Sequence, residues 1–422
     1  MLKNFYYKQM EQSMNKELFG ANDRIRIAVL GVNGRGNNHV SSIMKLNDAE
    51  VVALCDPDLN VANQRAKAFE QTYQKKVLVE QHFQKIFDNK TIDAVTIATP
   101  NHWHTLLAIW ACQAGKDVYI EKPATHNIYE GRKLIEAAYK YNRIVQNGVQ
   151  MRSFEAAKEA VQHLHGGTIG RVYMARGLCL KSRADIGNKG ISKAPETLDY
   201  DLWCGPAPLV PFTENLVHYN WHWHWNYGNG DVGNQGIHQT DLCLWGLGVG
   251  LPERITAMGG KFLWDDCKEV AEVQTSVYHY PKEKKMIQFE VRNWYTNTED
   301  GISVGNFFYG DKGYMIVYNG GNYQTFLGEK REKGPGRESS ASDVAHFRNW
   351  IDAIKARDMS LQNGPVETAH LSAALAHLGN ISYRLGRQLN FDPISERFIG
   401  DSDANKMLTR EYRAPYILPD KI

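Results

Sequence analysis

The chain has 422 residues, 43% of them hydrophobic and 23% charged, with 49 basic against 47 acidic side chains. That length exceeds what one hydrophobic core usually holds, so two globular units are expected, and the balanced charge, without a long basic block, argues against a nucleic-acid or anionic-membrane partner. No apolar run approaches the ~20 residues needed to cross a bilayer.

Residues 1–22, with Lys3, Lys8 and Lys16, read as a polar N-terminal arm that lacks the apolar stretch of a signal peptide. This points to a cytoplasmic protein, or to a periplasmic one whose export signal has been removed. Cys55, Cys112, Cys179, Cys204, Cys243 and Cys267 show no Cys-x-x-Cys spacing and read as reduced thiols. Residues 25–30 form an apolar strand ending at Gly31-Val32-Asn33-Gly34-Arg35-Gly36. Further strands at 51–55, 95–98, 118–120 and 144–147 alternate with helical stretches at 61–72, 104–114 and 128–141. Such alternation predicts βαβ units, so residues 23–150 read as a doubly wound parallel sheet of the Rossmann type, whose ligands lie beyond the carboxyl ends of its strands.

After residue 150 the pattern changes. Extended runs at 172–180, 253–263, 270–280, 285–295 and 302–319, separated by turn residues, predict a mixed α/β domain over 151–387, built on a large open, mainly antiparallel sheet. Residues 328–342 read as a flexible loop, and 343–357 and 365–387 as helices, the second packing back against the first domain. Residues 388–422 form a C-terminal tail that also packs back.

A strand, a glycine turn and a helix present backbone N–H groups to a pyrophosphate. The usual middle glycine of the G-x-G-x-x-G pattern is Asn33 here, a residue that tolerates positive φ, with Gly34 beside it. Asp56 stands 20 residues after Gly36, at the end of the next strand, where a carboxylate meets the adenosine ribose hydroxyls. Its charge repels a 2′-phosphate, so NAD is expected over NADP. Gly31, Asn33, Gly34, Arg35, Gly36 and Asp56 are therefore candidate cofactor residues.

Lys122 follows a buried strand and precedes Pro123, which restricts the backbone and permits a cis bond. At the carboxyl edge of the sheet its ammonium is placed to stabilise a developing alkoxide. With Thr99-Pro100-Asn101-His102-Trp103-His104, Glu121-Lys122-Pro123 and Gly236-x-His238-x-x-Asp241, the chain resembles the Gfo/Idh/MocA oxidoreductase superfamily over roughly residues 24–387. The resemblance implies a Rossmann domain followed by an open-sheet domain, cofactor contacts from Thr99, Asn101, His104, Glu121, Lys122 and Gln150, and Lys122 and His238 acting on a substrate hydroxyl. Where the family usually has aspartate four residues before that histidine, this chain has Asn234, which orients but does not relay a proton. His238 is then the expected base, Asn234 its neighbour, and Asp241, one helical turn on, a candidate partner for the ring.

The segment from Asn220 to Asp231 is rich in tryptophan and histidine. Read as extended, it puts Trp221, Trp223 and Trp225 on one face and His222 and His224 on the other. Such aromatic faces suit a sugar, which makes Tyr219 and Trp223 candidate substrate contacts. The resemblance adds Arg152, Lys181, Arg183, His238 and Asp241. A zinc site from His218, His222 and His224 is the metal alternative, disfavoured because no cysteine or carboxylate cluster accompanies it, so no metal is expected. The expected function is NAD-dependent oxidation of a ring hydroxyl, at C3 by resemblance, of a pyranoside or related polyol, by a homodimer or homotetramer. Two rivals stand beside it. One is a glycosidase or lyase that retains NAD through oxidation, elimination and re-reduction; the other is a non-catalytic NAD-binding regulator.

Overall fold

A computed structural model describes residues 24–294, 298–339 and 341–422, so the expected N-terminal arm lies outside the described residues. The first unit holds strands β1 (Ile25–Leu30), β2 (Ala49–Cys55), β3 (Leu78–Glu80), β4 (Ala94–Ile97), β5 (Asp117–Ile120) and β6 (Val145–Asn147). They form one parallel sheet in the order β3-β2-β1-β4-β5-β6. Helices α1 (Arg35–Ile43), α2 (Leu59–Tyr73), α3 (Phe83–Asp88), α4 (Asn101–Gln113) and α5 (Ile128–Lys140) cross between strands. The sheet order reverses at β1 and β4, so the crevice at their carboxyl ends is the natural ligand site. Neither β3 nor α3 stands out in the sequence, because each is too short to establish a period.

The second unit opens with α6 (Glu155–His165), β7 (Val172–Cys179), α7 (Tyr200–Cys204), α8 (Gly230–Gly233) and α9 (Gly236–Leu247). Then follow β8 (Arg254–Gly260), β9 (Val273–Tyr280), β10 (Lys285–Arg292), β11 (Val304–Gly310), β12 (Gly313–Tyr318), β13 (Tyr323–Leu327) and β14 (Glu332–Arg337). Helices α10 (Asp343–Ala356) and α11 (Val366–Leu385), strands β15 (Leu389–Asp392) and β16 (Arg397–Phe398), and helix α12 (Ser402–Lys406) complete the chain. The sheet runs β14-β13-β12-β11-β7-β10-β9-β8-β15-β16, antiparallel except where β7 meets β10.

Three expectations are corrected here. The run 302–319 is two strands, β11 and β12, paired through a two-residue turn at Asp311-Lys312. The expected loop 328–342 contains β14, whose side chains are mostly exposed, so an edge strand wet on both faces carries no apolar alternation to read. The aromatic segment is not extended: residues Asn220–Trp223 make a 3₁₀ turn, and His222 lies flat on Trp221 with ring centroids 3.6 Å apart.

One face of the large sheet packs on α6, α9 and α11 through Ile287, Phe289, Phe308, Leu242, Leu244 and Leu375. Helix α10 returns to the parallel sheet, where Phe347, Trp350 and Ile351 join Ile27, Val29 and Val40. Helix α11 lies between α5 and the large sheet, and the tail brings Leu418 and Ile422 onto the helical layer of the first unit. The two units thus share packing on both sides of the crevice, and that fixes its walls.

Candidate active site

A single cleft of about 350 Å³ runs from the glycine turn to the aromatic segment. Gly31 has φ +80°, and a side chain there would meet the Ala98 carbonyl and the Thr99 N–H at 2.7 Å. A side chain at Gly36 would lie 1.9 Å from the Gly31 carbonyl. These two positions require glycine for the turn to fold against β4. Asn33 does not adopt positive φ, contrary to the reading that its tolerance of that region preserves the turn. Beside Gly34 there is open space where a side chain would stand, and α1 begins there without a side-chain cap. Its first N–H groups are therefore free to meet an anion.

Asp56 closes the other side of this cradle. Its Oδ2 accepts the Val32 N–H at 2.9 Å and its Oδ1 the Asp58 N–H at 3.1 Å. Burial pushes its carboxyl pKa up despite these bonds. Thr99 and Asn101 line the cleft, and the Thr99 hydroxyl is buried with no hydrogen-bond partner. His104 also lines it, with Nδ1 and Nε2 each 2.7 Å from a carbonyl, those of Pro123 and Thr99. A turn closed to side chains, an uncapped helix start, a carboxylate at the second strand and an unpaired hydroxyl together fit a dinucleotide.

Glu121, just after β5, is buried and accepts Arg35 Nε at 2.8 Å, His39 Nε2 at 3.1 Å, Gln150 Nε2 at 3.3 Å and the Lys122 N–H at 3.2 Å. Burial alone would raise its pKa, but Arg35 and His39 hold the carboxyl well below the usual range. Arg35 also bonds Asp343 at 2.7 Å, so its guanidinium is neutralised rather than free for a phosphate. Gln150 sits behind Glu121, bonded to the Tyr119 hydroxyl at 2.9 Å, and does not line the cleft.

The Lys122–Pro123 peptide is cis, and the Lys122 side chain reaches across the crevice to the start of α9. Its Nζ donates to the Asn234 carbonyl at 2.8 Å and to Asn234 Oδ1 at 3.1 Å. Burial, offset in part by Glu121, lowers its pKa to about 8. Asn234 thus holds the lysine, where the sequence had it orienting His238. His238 is partly buried, and burial together with the nearby Lys122 charge takes its ring down to about 3, so it is neutral at ordinary pH.

Around Lys122 stand residues of the second unit. Lys181 Nζ donates to Gln235 Oε1 at 2.8 Å. Arg183 makes a two-pronged pair with Asp231 at 2.6 and 2.8 Å and lies over the Trp223 ring at 5.3 Å. Trp223 is buried beneath it, whereas Tyr219 is exposed and lines the cleft. Arg152 and Asp241 are elsewhere: they form a two-pronged pair with each other at 2.8 and 2.9 Å, and Arg152 lines a separate surface cavity with Trp245. Asp241 is therefore not the partner of His238, because its charge is held by Arg152.

The three histidines of the zinc alternative turn to separate partners. His218 pairs with Asp58 at 3.1 Å, His222 donates to the Tyr219 carbonyl at 2.6 Å, and His224 faces Glu269 at 3.6 Å. Among the described residues no group of three or more histidine, cysteine, aspartate or glutamate side chains is placed to hold a metal. Four residues of the site were missed by sequence reasoning. His218 and His222, both lining the cleft, read from the sequence only as metal ligands, and Trp203 lines it from α7. Asp231, the buried anchor of Arg183, carried one visible signal, a charge set among Gly228, Gly230 and Gly233.

The family model described as "Oxidoreductase family, NAD-binding Rossmann fold" matches residues 25–149, and that described as "Oxidoreductase family, C-terminal alpha/beta domain" matches residues 183–255 and 291–418. The chain belongs to the Gfo/Idh/MocA oxidoreductase family. Its first unit is an NAD-binding Rossmann domain, and NAD is the cofactor that the cradle accommodates. Among curated relatives, inositol 2-dehydrogenase 4 of Saccharopolyspora erythraea is 31% identical over 153 residues, 36% of this chain and 44% of the relative. Levoglucosan dehydrogenase of Pseudarthrobacter phenanthrenivorans is 29% identical over 143 residues, 34% of this chain and 35% of the relative. An alpha-N-acetylgalactosaminidase of Shewanella oneidensis is 26% identical over 145 residues, 33% of this chain and 31% of the relative. The chain thus matches less than half the length of each of these relatives. The Gfo/Idh/MocA fold itself is matched by the aldose-aldose oxidoreductase of Caulobacter crescentus, at TM-score 0.68 and 16% identity, over 87% of this chain and 100% of that one. The WlbA dehydrogenase of Bordetella pertussis, crystallised with NADH and UDP-GlcNAcA, matches at TM-score 0.66 and 19% identity, over 87% and 99%.

Proposed function

We propose that the chain is an NAD-dependent dehydrogenase that oxidises a secondary hydroxyl of a sugar or polyol, with C3 of a pyranoside as its target. The observation that carries this reading is the tether of Lys122 to Asn234 inside the cleft that also contains the dinucleotide cradle. A neutral lysine amine has two N–H donors and one lone pair. Asn234 supplies two acceptors, so both donors are engaged and the lone pair is left for a substrate hydroxyl. With a pKa of about 8, Lys122 is also the group best matched to take a proton near neutral pH. Once protonated, its third N–H steadies the carbonyl oxygen of the product.

His238, kept neutral, accepts or donates one hydrogen bond and orients the substrate; Lys122 takes the proton that sequence reasoning had given to this ring. When bound, NAD supplies the oxidant, accepting the carbinol hydride. Tyr219 and His222, which line the cleft with Lys122, supply polar groups for a sugar there. Inositol and levoglucosan dehydrogenases among the relatives support a polyol or anhydrosugar-sized substrate.

The glycosidase reading is supported by similarity to the alpha-N-acetylgalactosaminidase. It uses the same lysine, and differs in returning the hydride each turnover. Incubating the purified protein with NAD and a panel of inositols, pyranosides and nitrophenyl glycosides separates the two readings. Dehydrogenation gives one NADH per ketose formed; the glycosidase reading gives free aglycone and no net NADH.

A further inference from the structure

A second cavity, of about 260 Å³, shares no lining residue with the NAD cleft. It lies where α11, the end of α12 and the chain entering α5 and α8 converge, and its wall includes His126, Trp225, Asn229, His377, Arg384 and Arg410. Its lining also includes Lys406 and contains no aspartate or glutamate. We propose that this cavity is an anion site, taking a small molecule that bears phosphate or carboxylate groups.

Three observations carry the proposal. First, among the described residues neither guanidinium has a carboxylate within ion-pair distance. Arg410 Nη1 reaches only the Asn226 carbonyl at 2.9 Å and His126 Nδ1 at 3.2 Å. Arg384 stacks on Trp225, 5.0 Å from the ring. Glu130, whose charge Arg410 feels, already accepts the Thr105 and Tyr412 hydroxyls and the His126 N–H. Glu269, whose charge Arg384 feels, is engaged by the Trp225 N–H at 2.7 Å. Arg410 is half-buried, and a half-buried guanidinium without a counter-charge is costly, a cost that a bound anion would remove. Second, Asn229 lines the cavity and its Nδ2 is buried with no hydrogen-bond partner, so a further donor stands unsatisfied. Third, the volume falls below the roughly 300 Å³ at which ordinary ligand pockets begin, which suits a compact polyanion and not a second dinucleotide.

The position gives such an occupant a route to the active site. Asn229 immediately precedes α8, and Asn234, at the other end of that helix, holds Lys122.

Isothermal titration of inorganic phosphate, and separately of citrate, into the protein saturated with NAD tests the proposal, because bound NAD blocks the pyrophosphate cradle. The expected result is saturable binding of at least one anion, weakened about tenfold or more in both Arg384→Gln and Arg410→Gln. Arg384 is exposed, so its variant tests the site without burdening the fold, and retained NAD affinity reports that each variant is folded. Phosphate binding alone would identify a phosphate-bearing ligand, and citrate binding alone a polycarboxylate. Absence of binding by both anions, or binding unchanged in Arg384→Gln, would overturn it.

Discussion

At the scale of single residues, the pair Lys122–Asn234 determines how activity should respond to pH. The lysine accepts a proton only as the neutral amine, so the rate should rise with pH through about 8 and level off above it. Lys122→Met should cut turnover by ~10²-fold or more while NAD binding survives. Asn234→Asp places a carboxylate where Oδ1 now lies, 3.1 Å from the ammonium. That charge favours the protonated lysine, raises its pKa and moves the rising limb to higher pH. An unmoved limb in Asn234→Asp would show that Lys122 does not set it. Asp56→Ala should weaken NAD and narrow the gap to NADP, since it removes both the acceptor for ribose hydroxyls and the charge that repels a 2′-phosphate; competitive titration of the two cofactors measures this. An unchanged ratio would remove Asp56 from cofactor choice.

At the scale of elements, α10 is tied to the loop before β2 by Asp48, which takes Arg348 Nη2 at 3.0 Å, a second Arg348 nitrogen at 2.5 Å and Lys355 at 2.9 Å. Hydrogen bonds from Arg348, opposed in part by desolvation, lower the Asp48 pKa from 3.8 to about 2. A depressed carboxylate stabilises the fold above its unfolded pKa, and that stability is lost as pH falls through the folded one. Asp48→Asn should therefore lower the melting temperature at neutral pH, and the difference from wild type should shrink as pH falls from about 4 toward 2. A difference independent of pH would mean that the ion pairs add nothing. The same elements show what the sequence could reveal. The β1–α1 cradle was legible because its glycines and its apolar strand are adjacent in the chain. The tether of Lys122 to Asn234, across 112 positions, and the pairing of Arg152 with Asp241, across 89, were not, because nothing local records which distant side chain faces a charge. The aromatic segment was misread because alternating tryptophans fit a turn as well as a strand, and β14 because an edge strand has no buried face to mark it.

At the scale of the whole molecule, the large sheet carries helices on one face only among the described residues. On the other, Leu178, Phe307 and Ile316 cluster with Tyr309, Tyr314 and Phe326. Leu178, Phe307 and Ile316 are already buried, and the half-buried Tyr309, Tyr314 and Phe326 packed against them form the surface through which we propose a homodimer or homotetramer assembles. Light scattering of the purified protein should return two or four chain masses, and a monomer would remove this proposal.

Both halves of the molecule meet at the cleft where the dinucleotide cradle and Lys122 face each other, and the central claim is that a sugar hydroxyl is oxidised there. The direct measurement is simultaneous quantification of NADH and of ketose when the protein is incubated with NAD and the inositol and pyranoside panel. Equal amounts of both are expected, abolished together in Lys122→Met. Release of an aglycone without net NADH, or ketose formation undiminished in Lys122→Met, would contradict it.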